Sequence, residues 1–231
     1  MNLTANSLIN FYKSSIGKKI VVAITGLALI GFLLAHMIGN LKIYSGADKL
    51  NAYAAWLHSM PALLWMARIG LLVFFALHIV TTIQLVIQNR SSKGARYVYN
   101  HTNTASGASR TMIWSGIIII SFVVYHILHF TVRFANDYDS SHYIDSMGRH
   151  DVYKMLVDGF NWLPASIFYI VSMALLCWHL SHGFSSVFQT LGLRTDKNWK
   201  LIKALGMSYS LAIFIGNCSI PISVLFGWVS Y

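Results

Sequence analysis

Glutamate is missing altogether, and all seven acidic residues are aspartate. Charge of either sign is scarce. Charged residues make up 10% of the 231 positions and hydrophobic residues 56%. A soluble domain normally carries about 25% charged residues. So few charges cannot cover a water-soluble globule of this size, which excludes an ordinary cytosolic enzyme. Disorder is excluded from the other direction, because it requires low hydrophobicity. Cysteine is limited to Cys177 and Cys218. Both lie in apolar runs, so there is no disulfide framework and no thiolate zinc site. The net charge of +10 is scattered between apolar runs, with no basic helix interleaved with aromatics. Nucleic acid is therefore not an expected partner, and membrane lipid is.

Long hydrophobic runs are what the sequence does have. A spanning helix needs roughly 20 mostly apolar residues. Five stretches meet this: Ile20–Leu41, Ala62–Gln88, Met112–Phe134, Pro164–Gln189 and Ala204–Val229. The first is too long for a signal-peptide core and lacks a small-residue cleavage site. Pro164 suits a first helical turn, and Pro221 inside the fifth span predicts a kink. Five spans put the termini on opposite sides. One side holds Lys13, Lys18, Lys19, Arg90, Lys93, Arg96, Arg110, Arg194, Lys197, Lys200 and Lys203. The other holds Lys42, Lys49, Arg133, Arg149 and Lys154, with Arg68 near it. The richer side is cytoplasmic by the positive-inside rule, which places the N-terminus inside. Between the third and fourth spans, Val152, Met155, Leu156 and Phe160 recur at helical spacing. This pattern predicts a short amphipathic helix on the outer surface. The expected fold is a single all-α transmembrane domain of five helices over residues 1–231.

Ionisable residues inside a bilayer are expensive and usually functional. Here they are histidines: His36 in span one, His78 in span two, His126 and His129 in span three, His179 and His182 in span four. At 1.5 Å per residue, His36 and His126 lie roughly 24 and 21 Å from the inner face, while His78 and His179 lie roughly 15 Å from it. Two pairs at two depths, each from two helices, suit two haems with two axial imidazoles apiece. Gly39 and Gly183 share the faces of His36 and His179 and offer room for a ring. No C-x-x-C-H motif occurs, so the haem is of the non-covalent b type. The competing readings are packing or proton-relay histidines, and zinc or copper binding by the two H-x-x-H pairs. The latter lack nearby carboxylate or thiolate partners. His129 and His182 each lie one turn beyond their neighbours, toward a membrane face. They either donate to haem propionates or join helices by hydrogen bonds. Arg68 and Arg133 either pair with outer propionates or snorkel.

At these residues the chain resembles the dihaem cytochrome b membrane anchor of complex II, in its five-helix single-subunit form. The matching pieces include S-S-I-G-K-K (Ser14–Lys19), A-H-M-I-G-N (Ala35–Asn40), L-N-A-Y-A-A-W-L-H-S (Leu50–Ser59) and A-L-H-I-V (Ala76–Val80). V-Y-H-I-L-H-F (Val124–Phe130), W-H-L-S-H-G-F (Trp178–Phe184) and F-Q-T-L-G-L (Phe188–Leu193) continue the match through most of the chain. The resemblance implies axial ligands at His36 and His126 for a distal haem, and at His78 and His179 for a proximal one. It implies a bacterial cytoplasmic-membrane subunit of succinate dehydrogenase or fumarate reductase. An iron–sulfur subunit and a flavoprotein subunit are its partners, and quinone, with menaquinone favoured, is its substrate. The dicarboxylate chemistry then belongs to the flavoprotein. The cytochrome of another respiratory oxidoreductase and a non-redox proton or metal transporter are the alternatives. No internal repeat supports a transporter.

One departure from the family is visible. Some fumarate reductases carry an acid shortly before the fourth ligand, and here that position is Cys177. The corresponding proton pathway is not expected. A quinol loses two protons with its two electrons, so a protonatable group must stand at the quinone. In the outer loop from Lys42 to Pro61 the candidates are His58 and Asp48, among Tyr44, Tyr53 and Trp56. On the inner side, Arg90, Lys93, Arg96, Arg194, Lys197 and Lys200 either dock the iron–sulfur subunit or only set the topology.

Overall fold

A computed structural model describes residues 5–91, 107–134 and 136–231. Lys93 and Arg96 lie outside the described residues. The eight α-helices among those described are α1 (Ala5–Lys13), α2 (Ser15–Asn40), α3 (Ala47–His58), α4 (Pro61–Ser91), α5 (Gly107–His126), α6 (Val152–Asn161), α7 (Leu163–Thr190) and α8 (Trp199–Leu225). Five of these, α2, α4, α5, α7 and α8, are long and apolar enough to cross a membrane. No β-strand occurs among the described residues.

Local chemistry sets the helix ends. The Ser14 hydroxyl accepts from the Gly17 N–H at 2.9 Å and caps α2, which starts five residues before the expected Ile20. Pro61 opens α4 and Pro164 lies in the first turn of α7, where a missing N–H costs nothing. Asp151 caps α6 by accepting from the Lys154 N–H at 3.0 Å. Helix α5 passes into a π-helical turn, Ile127–Thr131, and stops before the expected Phe134. Arg133, just beyond, takes a left-handed backbone at φ 58°. In α8, Pro221 is buried and the helix continues through it to Leu225. The outer segment read as a loop from Lys42 to Pro61 is mostly helical, because Gly46 (φ 93°) turns the chain and α3 follows at once.

Helix α7 is the centre of the packing, lying against α8, α5, α2 and α6. Helix α4 packs mainly on α2, and α5 mainly on α7. Thus α4 and α5 flank the bundle without forming a packed pair. Only 6% of the most apolar stretch of α4 and 11% of that of the α5 span are buried, against 39% for α7 and α8. One end of the bundle is closed by α3 and α6, and we call it the capped end. The apolar face of α6 is not left on the surface. Leu156, Val157 and Phe160 are buried in the same core as Tyr169, Ile213 and Val224, and Met155 is buried beside them in α6. Burying each such side chain contributes about 1.5–3 kcal/mol.

Candidate functional site

Two histidine pairs lie inside the bundle. Nearer the capped end, the rings of His36 (α2) and His126 (α5) meet edge to face, with centroids 5.7 Å apart and planes at 86°. His36 stacks on Phe32 at 5.3 Å, and His126 lies against Phe122, Phe130 and Tyr169. Nearer the other end, His78 (α4) and His179 (α7) are close enough to interact electrostatically. Both pairs join helices that are not packed neighbours. This follows from the chain's order, because α2 lies between α4 and α7, and α7 between α2 and α5.

The hydrogen bonds engage one ring nitrogen of each histidine, Nδ1. His78 Nδ1 lies 3.1 Å from the Thr25 hydroxyl, which itself donates to the Val21 carbonyl at 2.7 Å. With its only proton so directed, Thr25 can only accept from His78 Nδ1–H. The same holds on α7. His179 Nδ1 lies 3.2 Å from the Ser115 hydroxyl, which donates to the Met112 carbonyl at 3.1 Å. Both histidines are thus held through Nδ1, with Nε2 the nitrogen left for a ligand. At the capped end, the Tyr169 hydroxyl lies 3.1 Å from His126 Nδ1 and 3.3 Å from His129 Nδ1. One hydroxyl has one proton, so at most one of the two imidazoles accepts from Tyr169. If His126 donates, its Nε2 is left for a ligand like the other two. A metal-binding histidine commonly donates its second ring N–H in this way.

The spacing of the first pair can be set against that of two axial ligands. An imidazole nitrogen binds a metal at about 2 Å, which sets opposed ring centroids about 6 Å apart. The 5.7 Å of His36 and His126 is close to that. Among the described residues no three His, Cys, Asp or Glu side chains converge on one point. Two imidazoles thus need a group that fills the remaining coordination positions itself, as a porphyrin does. Space is arranged for the rings. A Cβ on Gly26 would come within 3.2 Å of His78 Cε1, so the glycine lets that imidazole sit close against α2. A Cβ on Gly183 would meet nothing within 4 Å. Gly39 differs from expectation, since Tyr53 of α3 covers it at 3.0 Å and the glycine seats the cap.

The remaining candidates are dispersed. His129 is buried and stacks on Phe130 at 4.0 Å. His182 bonds within its own helix, Nε2 to the Ser186 hydroxyl at 3.1 Å. Arg68 lies over the Trp65 ring at 5.3 Å, and Arg133 pairs with Asp139. Asp48 is tied to Arg149 at 2.8 Å across the cap. His58 is exposed at the end of α3, with Nδ1 bonded to the Ala54 carbonyl at 2.8 Å. Arg90, Arg194, Lys197 and Lys200 stand at the opposite end, with Arg194 and Lys203 over the Trp199 ring.

Sequence reasoning missed Thr25, Ser115, Tyr169, Gly26 and His150. Hydroxyls in apolar helices give no signal until helix rotation is known. His150 belongs to a loop that folds onto itself. The Asp151 N–H donates to the Tyr143 carbonyl at 2.7 Å, and the Asp145 N–H to the Arg149 carbonyl at 2.8 Å. Burial works against the Asp145 carboxylate. Hydrogen bonds from the Arg149 backbone and side chain and from the Met147 N–H outweigh it and hold its pKa below the usual range. The same pairing, to Asp48 first and Asp145 second, raises the pKa of Arg149. Burial pushes the His150 ring below its ordinary pKa, with Arg133 and His58 acting the same way and Asp139 and Asp151 opposing.

Comparison with protein-family models, with curated proteins and with solved structures finds no match to this chain.

Proposed function

We propose that the chain is the membrane-anchor and quinone-reactive electron-transfer subunit of a succinate:quinone oxidoreductase, holding two b haems. The observation that carries this reading is how the paired histidines are held. His78 and His179 are each hydrogen-bonded through Nδ1 to a hydroxyl on a neighbouring helix, which leaves Nε2 as the nitrogen that can face a ligand. That preparation suits an axial ligand and is of no use to a packing histidine. The resemblance in motif order supplies the enzyme class.

In this reading the capped end faces outward and the N-terminus lies in the bacterial cytoplasm. His36 and His126 hold the distal haem, and His78 and His179 the proximal one. When bound, the haems carry single electrons between an iron–sulfur subunit and menaquinone. The protein's own share is positional. Thr25, Ser115 and Tyr169 orient the ligands, and the aromatic shell of Phe122, Phe130 and Phe32 keeps water from the distal pair. The flavoprotein subunit carries the dicarboxylate chemistry. Arg90, Arg194, Lys197 and Lys200 flank the inner ends of α4 and α7 and form the docking face for the iron–sulfur subunit. His129, His182, Arg68 and Arg133 stand toward the two faces as propionate partners. The test is haem quantification on the purified protein with a reduced-minus-oxidised spectrum. Two b haems per chain are expected, and a colourless protein overturns the reading.

A further inference from the structure

The end of the bundle opposite the cap carries a groove that the histidine pairs do not use. It is bounded by α1, α2 and α4, has a volume of about 560 Å³, and is lined by Leu8, Ile9, Tyr12, Lys13, Lys18 and Gln84. Sites that take small molecules commonly have about 300–1,000 Å³. Specific contacts fix its walls. The Ser14 hydroxyl donates to the Phe11 carbonyl at 2.7 Å and accepts from the Gly17 N–H at 2.9 Å, which sets the corner between α1 and α2. A Cβ on Gly17 would overlap the Phe11 carbonyl oxygen, so a side chain there pushes α1 away from α2. Tyr12 pins α1 to α4. Its hydroxyl donates to Gln84 Oε1 at 3.1 Å and lies 3.1 Å from the hydroxyl of the buried Thr81. Lys18 ties α2 to α4 by donating to Gln88 Oε1 at 3.1 Å.

The lining combines two chemistries. Leu8 and Ile9 are 55% and 51% exposed. Helix α4 forms one wall and is the least buried of the five long helices, so hydrocarbon reaches this side of the bundle. Lys13 is exposed, and Lys18 keeps two of its three N–H donors after bonding Gln88. No acid balances them. Within residues 1–91 the only carboxylate side chain is Asp48, which is tied to Arg149 at the capped end. The other ion pairs among the described residues lie at the capped end as well. With Oε1 taken by Tyr12, the amide N–H groups of Gln84 remain as donors. The groove therefore calls for an anion joined to a hydrocarbon chain. A free phosphate would satisfy the lysines and leave Leu8 and Ile9 bare, and a neutral lipid would do the reverse.

We propose that this groove holds one anionic phospholipid, with its phosphate on Lys13 and Lys18, a glycerol ester on Gln84 and one acyl chain over Leu8 and Ile9. Basic pockets between spanning helices suit anionic headgroups, and each lysine near the membrane surface adds to the attraction. The consequence for the fold is a clamp. Helix α4 packs mainly on α2 and is barely buried, and the lipid joins the two through α1. His78 lies three residues before Thr81, so the Tyr12 contact is about one turn of α4 away from it. The lipid site requires only that the long helices lie in a bilayer. It does not depend on what the histidines bind.

The test is native mass spectrometry of the full-length protein in a non-ionic detergent, titrated with palmitoyl-oleoyl phosphatidylglycerol or with the phosphatidylcholine of the same chains. Wild type should hold one phosphatidylglycerol about 30-fold more tightly than the choline lipid, and inorganic phosphate should not displace it. Lys13→Gln and Lys18→Gln should each reduce that preference about fivefold, and the double variant should abolish it. Gly17→Ala keeps both lysines but opens the corner, so it should lose the preference too. Lys203→Gln removes a cation at the same end outside the groove and should change nothing. Bound phosphatidylglycerol should also slow hydrogen exchange in α4 from Thr81 to Ser91 in wild type and not in the double variant. Equal affinity for the two lipids overturns the proposal, as does displacement by inorganic phosphate. So does an unchanged preference in the double variant or in Gly17→Ala. A loss in Lys203→Gln as large as in Lys13→Gln also overturns it, because the attraction would then belong to the whole basic end.

Discussion

The two histidine pairs are held in different ways. His36 and His126 face each other with centroids 5.7 Å apart, and their surroundings are aromatic rings drawn from α2, α5 and α7 under the α3–α6 cap. His78 and His179 are each fixed by a single hydroxyl on a neighbouring helix, with no cap beside them. The first pair is a product of tertiary packing. The second is a product of two local hydrogen bonds. Damage to the cap should therefore reach the distal pair first, and loss of one hydroxyl should affect only its own pair.

The largest effect is expected at the cap itself. Asn51 and Asp151 are both buried and bonded to each other, and Asn51 also accepts from the Tyr153 N–H at 3.0 Å. Asn51→Ala takes one donor from the Asp151 carboxylate, which keeps the Lys154 N–H, and leaves the Tyr153 N–H unpaired, at a cost of about 2 kcal/mol. Thermal denaturation should show this as a lowered midpoint, and haem content as a loss confined to the distal site. Equal loss of both haems would erase the distinction between the halves.

Next in size is Tyr169→Phe. It removes the hydroxyl shared by His126 and His129, so the distal haem should bind about 10- to 100-fold more weakly, as outer-shell changes at metal sites do. Haem titration resolved by spectrum checks it, with the proximal haem unaffected. Thr25→Val and Ser115→Ala are the matching changes at the proximal pair. Each removes one bond of 3.1–3.2 Å, and about tenfold weaker proximal haem is expected for either. If Tyr169→Phe weakens the proximal haem instead, the pairing is wrong.

How much of this was legible in the sequence follows from what kind of signal each feature leaves. Apolar runs and the periodicity of Val152, Met155, Leu156 and Phe160 are one-dimensional, and all five long helices and α6 appear where those patterns placed them. Helix α3 was hidden because its twelve residues have little apolar periodicity and are packed mainly through Leu50 and Asn51. The histidine levels could be computed from rise per residue. The hydroxyls that hold them could not, because Thr25 and Ser115 face the rings only once helix rotation is set. His150 was passed over as one more loop histidine, since the neighbouring Asp151 is held by Asn51, far away in sequence, and by the Tyr143 carbonyl of the same loop.

The smallest effect is on acid stability, and it separates the cap from the bundle. His150 has a lowered pKa in the folded state, so the unfolded chain takes up its proton first. Stability should begin to fall as pH drops below the ordinary value of 6.5. Asp145 has a lowered carboxylate pKa, so its contribution is present above 3.8 and is lost as pH falls further. Hydrogen exchange should show the 143–151 loop opening in that order while the α7–α8 packing stays protected. Uniform opening would mean that the cap has no independent stability.

The central claim is that the histidines act in the pairs His36–His126 and His78–His179. The most direct measurement is the reduced-minus-oxidised spectrum and haem count of four single variants, each with one of these histidines changed to alanine. The account predicts that His36→Ala and His126→Ala each keep the same one haem, and that His78→Ala and His179→Ala each keep the other. Variants His36→Ala and His126→Ala that lose different haems, or any variant that keeps both at full occupancy, would contradict it.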